Sequence, residues 1–399
     1  RFKLTKKDLN PFRMVDVYYN GNKPGVKEHL LELQNYLEPT NYFKDKYLER
    51  SYQFLNQLNL FSTIKPVFKE VPGTSLIDVH YYLVQSKKQS FDFAPRFTSS
   101  FGLLGVNASL TYVNKNVFRG GEKLTLAIGG GFESQPIVFS TTAGGGRAFN
   151  TLEFGPSVKF EVPGLLPVPV WVLSKRQKPS TIFGLALNFE KRDIFTRRVF
   201  QMNYTWKWRV DKTQVFTIGL PFASTIKFVK FDNSDAFQAQ INSMSDPFLR
   251  NSYSDQLIWE DFKVQFEFSN IKKDFSVDKG HSARKTNIDI NFTSSLTLAG
   301  NTLSFLTKNK DTLSGGQHYF LGNVFAQFLK QDNLLTMTKR FNSSLSLAWK
   351  LMAGVGVPYG NSTTSMPYDY SFFAGGANDN RGWKARTLGP GIYKYYLDP

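Results

Sequence analysis

The triplet Arg381-Gly382-Trp383 is where residue types and spacing come nearest to a chemical device. Gly375 and Gly376 precede it and Gly389-Pro390-Gly391 follow it, so both ends of the segment can turn sharply. An arginine offers a planar fork for a carboxylate, a neighbour without a side chain lets the backbone come close, and an indole packs on a wall. That is recognition chemistry, not bond-making. The residues that make and break bonds show no matching pattern. His29, His80, His281 and His318 are scattered, neither H-E-x-x-H nor G-x-S-x-G occurs, and Gly144-Gly145-Gly146-Arg147 lacks the spacing of a phosphate-binding loop. With no cysteine, disulfides and thiolate metal sites are excluded. The expectation is a chain that is not an enzyme and uses no cofactor or metal.

A loop of this kind must be held by something, and the composition says what. The 399 residues include 38 Phe, 18 Tyr and 30 Gly, and mean hydropathy is below zero. Strand formers are plentiful while apolar residues overall are not. No apolar run approaches the roughly 20 residues a spanning helix needs; Leu165 to Leu173 is short and carries Pro167 and Pro169. The formal charge of +17 invites a nucleic-acid partner, but there is no basic helix and no strand face of interleaved aromatic and basic residues, so none is expected. Clusters such as Lys175-Arg176-Gln177-Lys178, Lys191-Arg192 and Arg197-Arg198 read as solvated rims or as contacts to anionic lipid headgroups.

Only the first ~90 residues have helical periodicity. Arg13 to Tyr19 reads as a strand, Val26 to Leu37 and Lys44 to Leu60 as helices, and Thr63 to Val71 with Leu76 to Val84 as a strand pair around Pro72-Gly73. This is a small α+β module over 1–88. From Phe91 the pattern changes to period two, as in Leu104, Val106, Ala108, Leu110 against Gly105, Asn107, Ser109, or Phe200, Met202, Tyr204, Trp206, Trp208 against Gln201, Asn203, Thr205, Lys207. Ile258, Phe262, Val264, Phe266 and Phe268 are read as one such face. The spacing predicts eleven strands: 91–101, 103–115, 121–135, 148–161, 181–193, 196–211, 213–230, 255–270, 285–300, 316–330 and 337–358. Sandwich strands run to about 5–6 residues, and crossing a bilayer at a tilt takes about 9–11. Polar faces this rich suit a wet lumen better than a protein core, and Tyr112, Trp206, Trp208 and Trp259 suit interfacial girdles. The fold class is therefore an α+β module followed by an antiparallel transmembrane β-barrel over 89–399, with an inward loop at 359–399. Short connections (Gly102, Asp193-Ile194-Phe195, Asp211-Lys212) are expected at the periplasmic end, and long ones (Gln135–Arg147, Phe231–Ser254, Lys272–Arg284, Thr307–Gly315) at the external end.

At this point the chain resembles the outer-membrane assembly factors of the BamA and TamA type, with details leaning to the TamA-like branch of Bacteroidetes-type bacteria. Leu55, Leu58 and Phe61, followed by a strand pair, look like the end of a POTRA domain. Asn116-Val117-Phe118-Arg119-Gly120-Gly121-Glu122 is similar to the family's turn between the second and third strands, and Phe372 to Gly391 to its inward-folded external loop. The family's Arg-Gly-[Phe/Tyr] tip reads Arg381-Gly382-Trp383 here, a departure that keeps stacking capacity but enlarges the ring.

The resemblance implies a surface-antigen-type barrel of about sixteen strands, so the last five, with the acidic lumen partner of Arg381, are absent from this chain. It implies residence in a bacterial outer membrane with the N-terminal module in the periplasm. The implied role is insertion, assembly or translocation of proteins by templating strands at a lateral seam. The implied partners are nascent outer-membrane proteins, outer-membrane lipids and accessory subunits or lipoproteins. The seam strand would carry Phe91, Phe93, Pro95, Phe97 and Ser99; proline donates no ladder bond and is tolerated mainly at edges. The rivals are a two-partner-type secretion pore, which typically carries two POTRA modules and a plug helix, and a general porin, which needs neither the helical module nor the arginine loop.

Overall fold

The computed structural model describes residues 25–37, 42–73, 75, 77–100, 103–134, 150–168, 179–210, 213–243, 247–270, 288–308, 316–342, 344–362, 365–375, 380 and 382–383. Helices α1 (Glu28–Gln34) and α2 (Asp45–Gln57) precede a two-stranded antiparallel sheet, β1 (Phe61–Glu70) and β2 (Ile77–Gln85). Val26, Leu30, Leu55, Leu60 and Phe61 form the core of this unit, each adding about 1.5–3 kcal/mol by leaving water. The predicted strand Arg13 to Tyr19 lies outside the described residues.

The rest is one long sheet. Its strands are β3 (Gln89–Ser100), β4 (Leu103–Asn114), β5 (Lys123–Glu133), β6 (Thr151–Pro163), β7 (Ser180–Arg192) and β8 (Phe195–Arg209). There follow β9 (Gln214–Gly219), β10 (Thr225–Asn233), helices α3 (Asp235–Ser243) and α4 (Pro247–Ser252), β11 (Gln256–Ser269), β12 (Ile288–Ala299) and helix α5 (Asn301–Thr307). A hairpin of β13 (Tyr319–Phe320) and β14 (Asn323–Ala326) leads into β15 (Phe328–Arg340) and β16 (Ser346–Pro358). Neighbours along the main path follow chain order from β3 to β16, and among the described residues the two terminal strands are not paired with each other, so the described sheet is open.

One face is apolar and outward. Phe183, Leu185 and Leu187 on β7 lie opposite Tyr204, Met202 and Phe200 on β8, and most of these side chains are exposed. The other face is concave, because a single short segment after β16 reaches residues on β8, β10, β11, β15 and β16. Near the module end of β8, Trp206 Nε1 donates to the Leu166 carbonyl at 2.8 Å and Trp208 stacks on Phe216.

The α+β unit meets the sheet at the β4–β5 turn. Asn116 Nδ2 donates to the Gly25 carbonyl (2.8 Å), Lys27 N–H to the Arg119 carbonyl (2.7 Å), and Glu122 accepts from the N–H groups of Phe118 and Gly120. This defines a module end of the wall.

Several expectations are corrected. The strand read over 213–230 is broken: β9 and β10 both lie between β8 and β11, separated by an excursion over 220–224. The strand read over 316–330 is instead the short hairpin plus the start of β15, because Leu321 and Gly322 turn the chain at positive φ. β16 begins at Ser346 rather than 337, after the turn in which Phe341 N–H donates to the Leu345 carbonyl. The apolar face read through Ile258 and Phe262 is split. A register shift between Glu260 and Phe262 turns Ile258 to the concave side, where it packs with Ala299, Ala326 and Phe328. The rule linking connection length to end holds for some connections and not for others. Each pass of an antiparallel meander changes end, so Asp193-Ile194-Phe195 and the strand ends flanking Gly102 lie opposite the module, while the strand ends flanking Lys272–Arg284 lie beside it. Phe231–Ser254 is no plain loop, since it holds the end of β10 and helices α3 and α4 over an aromatic cluster of Phe195, Phe237 and Tyr253.

Candidate functional site

The chain leaves β16 at the end away from the module and folds back along the concave face. Two polar fixings set the entry. Tyr359 N–H donates to the Gln327 carbonyl at 3.1 Å. Asn361, buried, accepts from His318 N–H (2.7 Å) and donates to the carbonyls of His318 and Phe325 (2.8 and 2.9 Å), while its own N–H donates to Gln327 Oε1 (3.0 Å). An amide that uses all its groups in this way fixes both position and orientation.

Deeper in, Asp369 is the electrostatic anchor. Arg197 on β8 gives it two guanidinium bonds of 3.0 and 2.9 Å, and Lys227 on β10 gives a third. All three side chains are about four-fifths covered. Burial pushes the Asp369 carboxyl up, but the charges of Lys227 and Arg197 together outweigh it and hold the group below its ordinary value. Next to it, the Tyr370 hydroxyl donates to Glu260 Oε1 at 2.7 Å. Burial, then the adjacent Glu260 charge, push that hydroxyl well up, so it stays protonated and keeps donating. Glu260 is almost wholly covered; it also accepts from Ser224 Oγ (3.2 Å) and has Lys263 Nζ at 3.7 Å.

Apolar contacts finish the seating. Met366 and Tyr370 pack on the Ile258, Ala299, Ala326 and Phe328 cluster. The Phe372 ring lies over β16 where side chains are missing: a Cβ at Gly354 would stand 2.5 Å from its Cζ, and one at Gly356 would stand 3.2 Å from Met366 Cε. Lys330 Nζ covers the ring at 4.5 Å from its centroid.

Of the predicted loop residues, Gly375 turns in the left-handed region at φ 90°. Gly382 and Trp383 are described; Trp383 N–H donates to the Asn380 carbonyl at 3.1 Å and its indole is about half exposed. Arg381, Gly376, Gly389, Pro390 and Gly391 lie outside the described residues. The predicted seam residues all fall on β3, whose one partner among the described residues is β4. Phe91, Phe93 and Phe97 are 72, 67 and 79% exposed, Pro95 sits opposite Ala108, and Ser99 opposite Leu104. The loop tip and β3 are not brought into contact among the described residues.

Sequence reasoning missed the anchors themselves. Arg197 was legible only as part of a rim cluster; the structure turns it inward to Asp369, while Arg198 pairs with Asp232 and Arg192 with Glu190. The available signal was phase: Arg197 and Lys227 sit at polar-face positions of their strands. Among the described residues, no group of three or more His, Asp or Glu could hold a metal ion.

No family model matches the chain, and no curated protein sequence matches it. Among solved structures, that of BamA from Haemophilus ducreyi lacking POTRA domains 1–3 aligns with a TM-score of 0.53 at 14% identity, covering 92% of this chain and 59% of that one. CdiB from Acinetobacter baumannii aligns at a TM-score of 0.30 and 9% identity over 87% of this chain and 69% of that one, too loosely to carry an argument. This chain thus spans about three-fifths of the BamA structure, and what it shares with it is the fold: an antiparallel wall of BamA-like barrel type.

Proposed function

We propose that the chain is part of an outer-membrane barrel that inserts other proteins into that membrane, or translocates them, in the manner of BamA and TamA. Residues 1–88 act as a periplasmic POTRA-like module and 89–399 as the barrel with its inward loop. The chain performs no covalent chemistry; its clients are nascent outer-membrane proteins, with lipids around it and accessory subunits or lipoproteins beside it. The observation that carries this reading is the pairing of two features in one wall. A segment is anchored on the concave side by Asp369 and Tyr370, and the first strand of the wall, β3, pairs on one edge only among the described residues.

The physics of templating follows from that edge. An unpaired strand presents N–H and C=O groups that hydrocarbon cannot satisfy, and an arriving strand satisfies them by β-augmentation. Phe91, Phe93 and Phe97 keep the outward face of β3 apolar, so a strand arriving there stays at hydrocarbon depth. Arg381 and Trp383 are assigned to holding the loop tip against the lumen wall. Single cysteines placed along Phe93 to Ser99 are expected to crosslink to newly made barrel proteins in cells. Absence of crosslinks in every register would overturn the templating role, and crosslinks to one dedicated exported protein would favour a secretion pore.

A further inference from the structure

The connection from β12 to β15 has the length of an external loop, yet its described parts pack on the wall: α5 lies over the outward side chains of β10 and β11, and β14 pairs with β11. Leu303 of α5 and Phe325 of β14 pack on Ile226 and Leu257, side chains on the lipid side of β10 and β11. Beside them, the excursion over 220–224 leaves the sheet partway along its length, with six residues of β9 on one side and nine of β10 on the other. We infer that this thickened part of the wall, α5 with the β13–β14 hairpin that pairs along β11 at Leu257 and Ile258, and the 220–224 excursion, is a flange embedded among lipid acyl chains. The inference rests on the reading of the wall as membrane-spanning.

Donor accounting is the first support. Irregular backbone in hydrocarbon persists only where the protein itself satisfies it. Every N–H of the excursion is used: Leu220 to the Tyr204 carbonyl (3.0 Å), Phe222 to that of Asp261 (2.7 Å), Ala223 to that of Leu220 (3.2 Å), Ser224 to that of Glu260 (2.8 Å); Pro221 has none. The Trp259 indole donates to the Phe222 carbonyl. Asp261 ties the two parts together, since its carboxyl accepts from the first two N–H groups of α5, Asn301 at 2.6 Å and Thr302 at 2.9 Å. A loop in water leaves such donors to water.

What the flange shows outward is the second support. Phe222, Phe305 and Leu321 are 72, 80 and 72% exposed. Phe222 and Leu321 hold left-handed backbones, φ 71° and 49°, that glycine would adopt without strain. Strained positions filled by large apolar side chains, continuous with the outward Phe200 and Met202 of the wall, match a surface facing acyl chains.

The chain has no cysteine, so single-cysteine variants carry one spin label each. Phe222→Cys, Phe305→Cys and Leu321→Cys, with Leu187→Cys as the wall reference, are to be labelled in the full chain in phosphatidylcholine–phosphatidylglycerol vesicles. Relaxation is then read with oxygen and with a water-soluble nickel chelate. The expected result is high oxygen and low nickel accessibility at all four sites. Flange labels open to nickel while the Leu187 label stays in lipid would overturn the flange and leave the barrel standing. Flange labels shielded from both reagents would overturn it in favour of a second copy covering this face. A Leu187 label open to nickel would overturn the membrane reading itself.

Discussion

Asp369 shows how little of a site a linear sequence need reveal. Its partners, Arg197 and Lys227, lie 172 and 142 positions away, so only the curvature of the wall brings them together. Asp369→Asn removes one charge and leaves two facing each other; for a largely but not fully covered cluster, the cost is roughly 2–4 kcal/mol. Protease sensitivity of the inward segment should rise accordingly, with the wall unchanged. The pH dependence has a definite sign. Because the folded carboxyl titrates below its ordinary value, its stabilisation is present above about pH 4 and fades as pH falls through the lower folded value. Segment protection should therefore hold from neutral pH down to the carboxylate range and be lost below it in the wild type, while Asp369→Asn shows no such step.

Among the elements, the strands were legible because one apolar outward face and one polar face write a period of two over a dozen residues. What escaped is what breaks that period. A single extra residue at Asp261 reverses the faces of β11, and five residues after Gly219 take β9 out of line with β10, yet neither changes the composition of the run. The hairpin over 319–326 alternates like a strand until Leu321 and Gly322 reverse it. The inward segment was legible as a special loop, but its seat was not, since a seat made of missing side chains leaves no residue to notice. Gly354→Val tests that seat. Its added carbon collides with the Phe372 ring, so the ring should leave β16 and Lys330, at a cost of about 1–3 kcal/mol. The control Gly129→Ala meets nothing closer than 4.0 Å and should stay within about 0.5 kcal/mol. Heat-modified mobility on gels, read as a midpoint, separates the two.

At the scale of the whole molecule, large exposed apolar residues occur on the outward side from Phe91 on β3 to Val357 on β16. The protein should be monodisperse only in detergent or bilayers and precipitate when detergent is diluted away. A monomer in plain buffer by size exclusion would end the membrane reading. Here the segment over 365–372 touches β8, β10, β11, β15 and β16 at once, and so lies across the bend like a chord across an arc. Those contacts hold the part of the wall from β8 to β16 to one curvature, and their loss should let that part flatten.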